Sequence, residues 1–113
     1  MGVTDHLRIV VTREADRIIV ALDGELDMAN APLLQSSIET ADITAKALVL
    51  DLQRLQFIDS TGLRIILTAQ ERCEQQGQRF AITRGSDQVQ RLLSITGISA
   101  HLRTLASPDE LLV

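Results

Sequence analysis

Between Leu48 and Leu67 the spacing of apolar residues changes from that of a buried strand to that of a helix, and the change falls on Asp59-Ser60-Thr61-Gly62. Leu48, Val49 and Leu50 follow one another without alternation, and Leu52 follows after Asp51. Such a run predicts a strand over Leu48–Leu52 covered on both faces, as in a parallel sheet flanked by helices. From Leu63 the apolar positions fall three and four residues apart: Leu63, Ile66, Leu67, Ala69, Cys73. This stripe predicts a helix from about residue 60 to 76 with one face turned inward. The hydroxyls of Ser60 and Thr61 then lie at its N-terminus.

The flanking pattern extends the same architecture. Leu7–Arg13 and Arg17–Asp23 are rich in β-branched residues and are separated by Glu14-Ala15-Asp16, which predicts an antiparallel opening hairpin closed at its far end by Gly24. A loop over residues 25–29 leads to Asn30 as a helix cap. Pro32 is tolerated early in that helix because its missing N–H would be unpaired anyway. Ala31, Leu34, Ile38 and Ala41 make the inward stripe, and residues 42–46 cross to the central strand. After the central helix, Gly77 provides a stop and residues 78–83 form the next strand. Ser86 can cap a helix with Val89, Leu92, Leu93 and Thr96 on one side, stopped by Gly97. Leu102 and Leu105 suggest a short last strand. Ser107-Pro108-Asp109-Glu110 has the capping-box pattern of a terminal helix. The order predicts an α/β fold: a mostly parallel central sheet, opened by an antiparallel hairpin, with crossover helices.

Composition narrows the function. A chain of 113 residues, 45% hydrophobic, fits a single domain over 1–113 with a core that needs no stapling. Eleven basic against fifteen acidic residues give a net charge of −4, which argues against non-specific binding to nucleic acid or to an anionic membrane. With no Trp or Tyr and only Phe57 and Phe80, no stacking platform for single-stranded nucleic acid is present. Cys73 is the sole cysteine and falls on the inward stripe, so an internal disulfide is excluded and inert packing is expected of it. No leader pattern and no apolar run of about 18 residues occurs, so a cytoplasmic protein without membrane insertion is expected.

Enzymatic chemistry finds little support. His6 and His101 stand at opposite ends of the chain, and no nucleophile, base and orienter set is evident. Cys-x-x-Cys and His-x-x-x-His pairs are absent, so no metal or other cofactor is expected. Gly62 is isolated and Arg84-Gly85-Ser86 lacks the glycine spacing of a phosphate loop. What remains is Asp27 with Asp59, Ser60, Thr61 and Gly62. Loops at the carboxyl ends of parallel strands gather on one edge, so the Asp27 loop and the Ser60 turn are expected to be neighbours. A helix N-terminus carries unpaired N–H groups and the positive end of the helix dipole, and so accommodates a phosphate on Ser60. The same residues also serve as an ordinary cap and turn, with Thr61 favoured as the capping hydroxyl and Asp27 as a turn or capping carboxylate.

Phe57–Leu63, preceded by the strand Leu48–Leu52, resembles the signature segment of anti-sigma factor antagonists, bacterial members of the STAS domain family. Gly24–Asp27 followed by Ala31–Leu34, and Arg91–Ile98, extend the resemblance over nearly the whole chain. It implies the STAS fold, with Ser60 as the phosphorylation site and Asp27 beside it on a partner-facing surface that also includes Asp59, Thr61 and Gly62. It further implies a partner switch. The unphosphorylated protein binds an anti-sigma factor and frees a sigma factor for RNA polymerase. That anti-sigma factor, itself an ATP-dependent serine kinase, reverses the state, and a metal-dependent serine phosphatase restores it. Two readings stand beside this one: a STAS subunit of an ABC-type lipid transport complex, and a nucleotide-binding domain. Gln53, Arg54, Gln56 and Arg64 read as variations that tune partner choice.

Overall fold

The computed structural model describes residues 2, 3, 6–41, 44–108 and 110. Leu7–Glu14 (β2) and Arg17–Leu26 (β3) form the expected hairpin, preceded by an edge strand Gly2–Val3 (β1) that the pattern did not suggest. Then follow Ala31–Glu39 (α1), Ala47–Ile58 (β4), Ser60–Gln75 (α2), Arg79–Thr83 (β5) and Asp87–Ile95 (α3). A 3-10 turn over Ile98–His101, also unforeseen, leads to the short strand Thr104–Leu105 (β6). The six strands lie in sequence order, β1 to β3 antiparallel and β3 to β6 parallel. The fold is therefore α/β with a mostly parallel sheet opened by antiparallel strands, as expected.

The core divides unequally between the two sheet faces. Ile18, Val20 and Leu22 of β3 and Leu48, Leu50 and Leu52 of β4 pack with the stripes of all three α-helices in one large cluster. On the other face, Ile19, Val49, Ala81 and Leu105 form a small cluster of strand residues alone. Val49 is thus buried on a face that no described helix covers, which corrects the expectation of helices on both sides. The central stripe holds at Leu63, Ile66, Ala69 and Cys73, whereas Leu67 is only partly buried, and Thr96 of the third helix region is exposed. Gly77 and Gly97 follow their helices with positive φ, and the Ser86 hydroxyl caps α3 by accepting from the Val89 N–H. The expected terminal helix falls largely outside the described residues; within them, the Glu110 carboxylate accepts from the Ala106 N–H at 2.9 Å.

Both strands that reach the turn are longer than their sequence pattern implied. Gly24 does not end β3, which runs on to Leu26, and β4 continues past Leu52 to Ile58. Their register slips twice: Ala21 and Asp23 pair with Asp51 and Arg54, and Gly24 and Glu25 pair with Leu55 and Phe57. Each slip places one extra residue in β4, a β-bulge that bends the strand and changes which side chains face inward. Leu52, Leu55 and Ile58 are all buried although they are three residues apart, with Gln53, Arg54, Gln56 and Phe57 exposed between them. Gly24 is required at this crowded point. At its φ of +116°, a β-carbon would collide with the His6 carbonyl, which accepts from the Glu25 N–H at 2.8 Å.

Where β4 leaves β5, a side chain replaces the ladder. The fully buried Thr83 hydroxyl accepts from the Leu52 N–H at 2.7 Å and donates to the Asp51 carboxylate at 2.8 Å. Replacing Thr83 by Val keeps the shape and strands that N–H, so it is expected to lower stability by about 1–3 kcal/mol. Urea unfolding of Thr83→Val beside Thr83→Ser, which keeps the hydroxyl and should retain most of the stability, checks this.

Candidate functional site

Asp59 ends the central strand and caps the helix that follows. Its backbone is extended (φ −106°, ψ −177°), and one carboxylate oxygen accepts from the Gly62 N–H at 3.0 Å. The other oxygen accepts from the Met28 N–H at 2.9 Å, in the loop after β3. One side chain thus satisfies an unpaired helix donor and ties together the two loops expected to be neighbours. The cap is Asp59 rather than Thr61. Thr61 lies inside the first turn, at the second helical residue, and the Gly62 N–H is taken by Asp59.

Gly62 is needed for close packing rather than for a special backbone angle. A β-carbon there would sit 2.7 Å from Ile58 Cγ1 and 2.8 Å from Leu26 Cδ2. These are the last residues of β4 and β3, so the first turn of α2 rests directly on the two strand ends. Pressing the turn inward at Gly62 and Leu63 turns Ser60 outward. Ser60 is exposed, Thr61 partly so, and the Ser60 hydroxyl forms no hydrogen bond among the described residues.

Asp27 has a structural task of its own. Its Oδ1 accepts from the N–H groups of Ala29 at 3.0 Å and Asn30 at 3.2 Å, while its carbonyl accepts from Ala31 N–H at 2.8 Å. Asn30 stands at the N-cap of α1 as expected, yet its side chain does not cap the helix. Buried, it accepts from the Asp27 N–H at 2.9 Å and donates to the Glu25 carbonyl at 2.8 Å. At the helix start the Asp27 carbonyl, not the Asn30 side chain, takes the Ala31 N–H, and the Asp27 carboxylate closes the turn before it, as expected of a turn carboxylate. This loop-holding role of Asn30 was missed in the sequence, where Asp followed three residues later by Asn was the available signal. With the loop pinned at both ends, Met28 projects outward, 73% exposed.

The Asp27 loop and the Ser60 turn form an edge at the ends of β3 and β4, joined through Asp59. A cleft of about 400 Å³ lies elsewhere, lined by Arg8, Asp23, Asp51 and Arg54. Among the described residues no three His, Cys, Asp or Glu side chains gather as a metal-holding group, and no helix is long and apolar enough to cross a membrane. Cys73 lies in the core, its thiol donating to Gln78 Oε1 at 3.3 Å. Burial pushes its pKa up to about 11, against a smaller lowering by Arg72.

Comparison with known proteins places this geometry in a family. The STAS domain profile matches residues 8–111, and the chain belongs to the STAS domain family. Among its relatives is an anti-sigma F factor antagonist of Paenibacillus polymyxa, 32% identical over 95 residues, covering 82% of this chain and 81% of that protein. The crystal structure of an anti-sigma factor antagonist from Mycobacterium paratuberculosis superposes with a TM-score of 0.83 at 24% identity, over 96% of this chain and 93% of that one. The Bacillus anti-sigma factor antagonist SpoIIAA is similar in its unphosphorylated form (TM-score 0.76, 20% identity, 88% and 89% of the two chains) and in its phosphorylated form (0.69, 19%, 88% and 92%).

Three outcomes follow from these contacts. Asp59→Ala removes acceptors from both Gly62 and Met28 and is expected to cost about 1–2 kcal/mol in urea unfolding, with the Gly62 and Met28 amide resonances moving most. The raised pKa keeps the Cys73 thiol protonated at pH 8, with a thiolate fraction of about one in a thousand. Disulfide-exchange reagents should therefore label it slowly in the native protein and rapidly in urea. Above about pH 9, where an unfolded thiol ionises and the native one does not, Cys73 should make stability fall as pH rises towards about 11.

Proposed function

We propose that this chain is an anti-sigma factor antagonist that acts by partner switching, with Ser60 as the phosphoacceptor. The observation that carries the reading is an exposed serine hydroxyl, free of hydrogen bonds among the described residues, in the first turn of a helix capped by the residue just before it. A relative with 32% identity over most of both chains bears that function in its name, and supports it. Unmodified, the edge formed by the Asp27 loop and the Ser60 turn binds an anti-sigma factor, which releases its sigma factor. A serine kinase activity of that partner, using magnesium-ATP, transfers phosphate to Ser60 and ends the complex. A serine phosphatase reverses the step. ATP and metal belong to those partners, and this chain supplies surface and acceptor rather than catalysis.

The physical basis is local. Phosphate adds about −1.5 to −2 charges at the positive end of α2, a position the fold tolerates. Asp59 and Asp27 stand close by with carboxylates already committed to backbone N–H groups. The added charge is therefore felt by the partner rather than by the fold. Like charge or an apolar surface set against it costs several kcal/mol in affinity.

Intact-mass measurement after incubation with a candidate anti-sigma kinase and magnesium-ATP tests the acceptor. One phosphate is expected on the wild type and on Thr61→Ala, and none on Ser60→Ala. Phosphate retained on Ser60→Ala and lost on Thr61→Ala would move the acceptor to Thr61. No phosphate on any form, with the kinase active on a control substrate, would favour the transport-subunit reading.

A further inference from the structure

Arg64 follows Ser60 by four residues on α2, so the two side chains lie one above the other on the same helix face. Both are exposed. Among the described residues the Arg64 guanidinium makes no hydrogen bond or ion pair. The other residues three or four away from it, Thr61, Leu67 and Thr68, are uncharged, and Glu71 is seven residues on. From α1, Gln35 and Glu39 approach α2 further along, beside Thr68 and Arg72. There it is Arg72 that makes the cross-helix contacts, donating to the Ile38 carbonyl at 2.7 Å and the Glu39 carbonyl at 3.1 Å. Arg64 is thus a cation without an anion, one helical turn from an exposed serine.

Resting on the reading of Ser60 as phosphoacceptor, we propose that Arg64 is the positioning residue for its phosphate. The anion precedes the cation by four residues, the favourable order for a helical pair. A guanidinium presents paired N–H donors that match two phosphate oxygens at once. Phosphorylation then does two things to the partner-facing surface: it adds negative charge at Ser60 and draws the Arg64 cation out of reach of the partner. An acidic group on the partner that pairs with Arg64 in the unmodified complex loses its counterpart at the same moment. The carboxylates nearest the phosphate, Asp59 and Asp27, are anchored by backbone donors and stay in place, so the change at Arg64 is the mobile part of the switch.

The test installs phosphoserine at position 60 of the full chain by codon suppression, in wild type, Arg64→Gln and Arg64→Lys, and follows the phosphate by ³¹P NMR as pH is varied. A nearby cation favours the dianion, so the second phosphate pKa should be lower in the wild type than in Arg64→Gln by about 0.3 unit or more. Arg64→Lys should recover part of that shift. Asp59 and Asp27 are common to all three proteins, so the difference reports Arg64 alone. Equal values in wild type and Arg64→Gln would overturn the role of Arg64. Because the phosphate is installed without a kinase, that result is separate from a failure of Ser60 to accept phosphate in the intact-mass experiment.

Discussion

The Asp59 carboxylate is the interaction on which the edge formed by the Asp27 loop and the Ser60 turn depends. One oxygen closes the first turn of α2 on the Gly62 N–H and the other holds the Met28 N–H of the neighbouring loop. Packing completes what the carboxylate begins, because the missing β-carbon of Gly62 lets the helix rest on Ile58 and Leu26 at the strand ends. Two bulges in β4 deliver those ends to the right place. Strand, turn and helix are therefore fixed around Ser60 while its hydroxyl is left to solvent. A modification there changes the surface without disturbing its supports.

Much of this was legible in the chain because local rules and tertiary packing agree there. The switch in apolar spacing at residue 59 marked the strand-to-helix turn, the hairpin lies where β-branched residues predict it, and Ser86 caps α3 as its position suggests. Legibility failed where tertiary geometry overrides a period. From Leu52 to Ile58 the inward positions are three apart, which matches no regular strand, so the second half of β4 was invisible until its bulges appeared. The helix-free face was hidden for a similar reason: Val49 is buried there in a small strand-only cluster, and a run of apolar residues does not reveal what covers it.

At the site, residue types were readable but tasks were not. Asp, Ser, Thr and Asn all serve as caps, and only the contacts distinguish Asp59 as the cap from Thr61 beside it. Asn30 keeps the N-cap position but its side chain holds the loop, whereas Asp27 is the turn carboxylate its position suggested, accepting from the Ala29 and Asn30 N–H groups. Both cases reflect one physical fact. A short polar side chain near a helix start has several backbone donors within reach, and the choice is made by which of them the surrounding fold leaves unsatisfied.

An edge that presents the exposed Ser60 hydroxyl, the proposed acceptor, suits a regulator whose output is the presence or absence of a partner. The proposed switch needs no second backbone conformation, only a change of charge and the re-pairing of the Arg64 side chain on a surface whose carboxylates are already anchored. The most direct measurement is calorimetric titration of an anti-sigma factor that phosphorylates this chain with the unmodified protein and with protein fully phosphorylated on Ser60. Affinity should fall on the order of a hundredfold or more on phosphorylation, with the fold unchanged by circular dichroism. Equal affinity of the two forms would contradict a switch at Ser60.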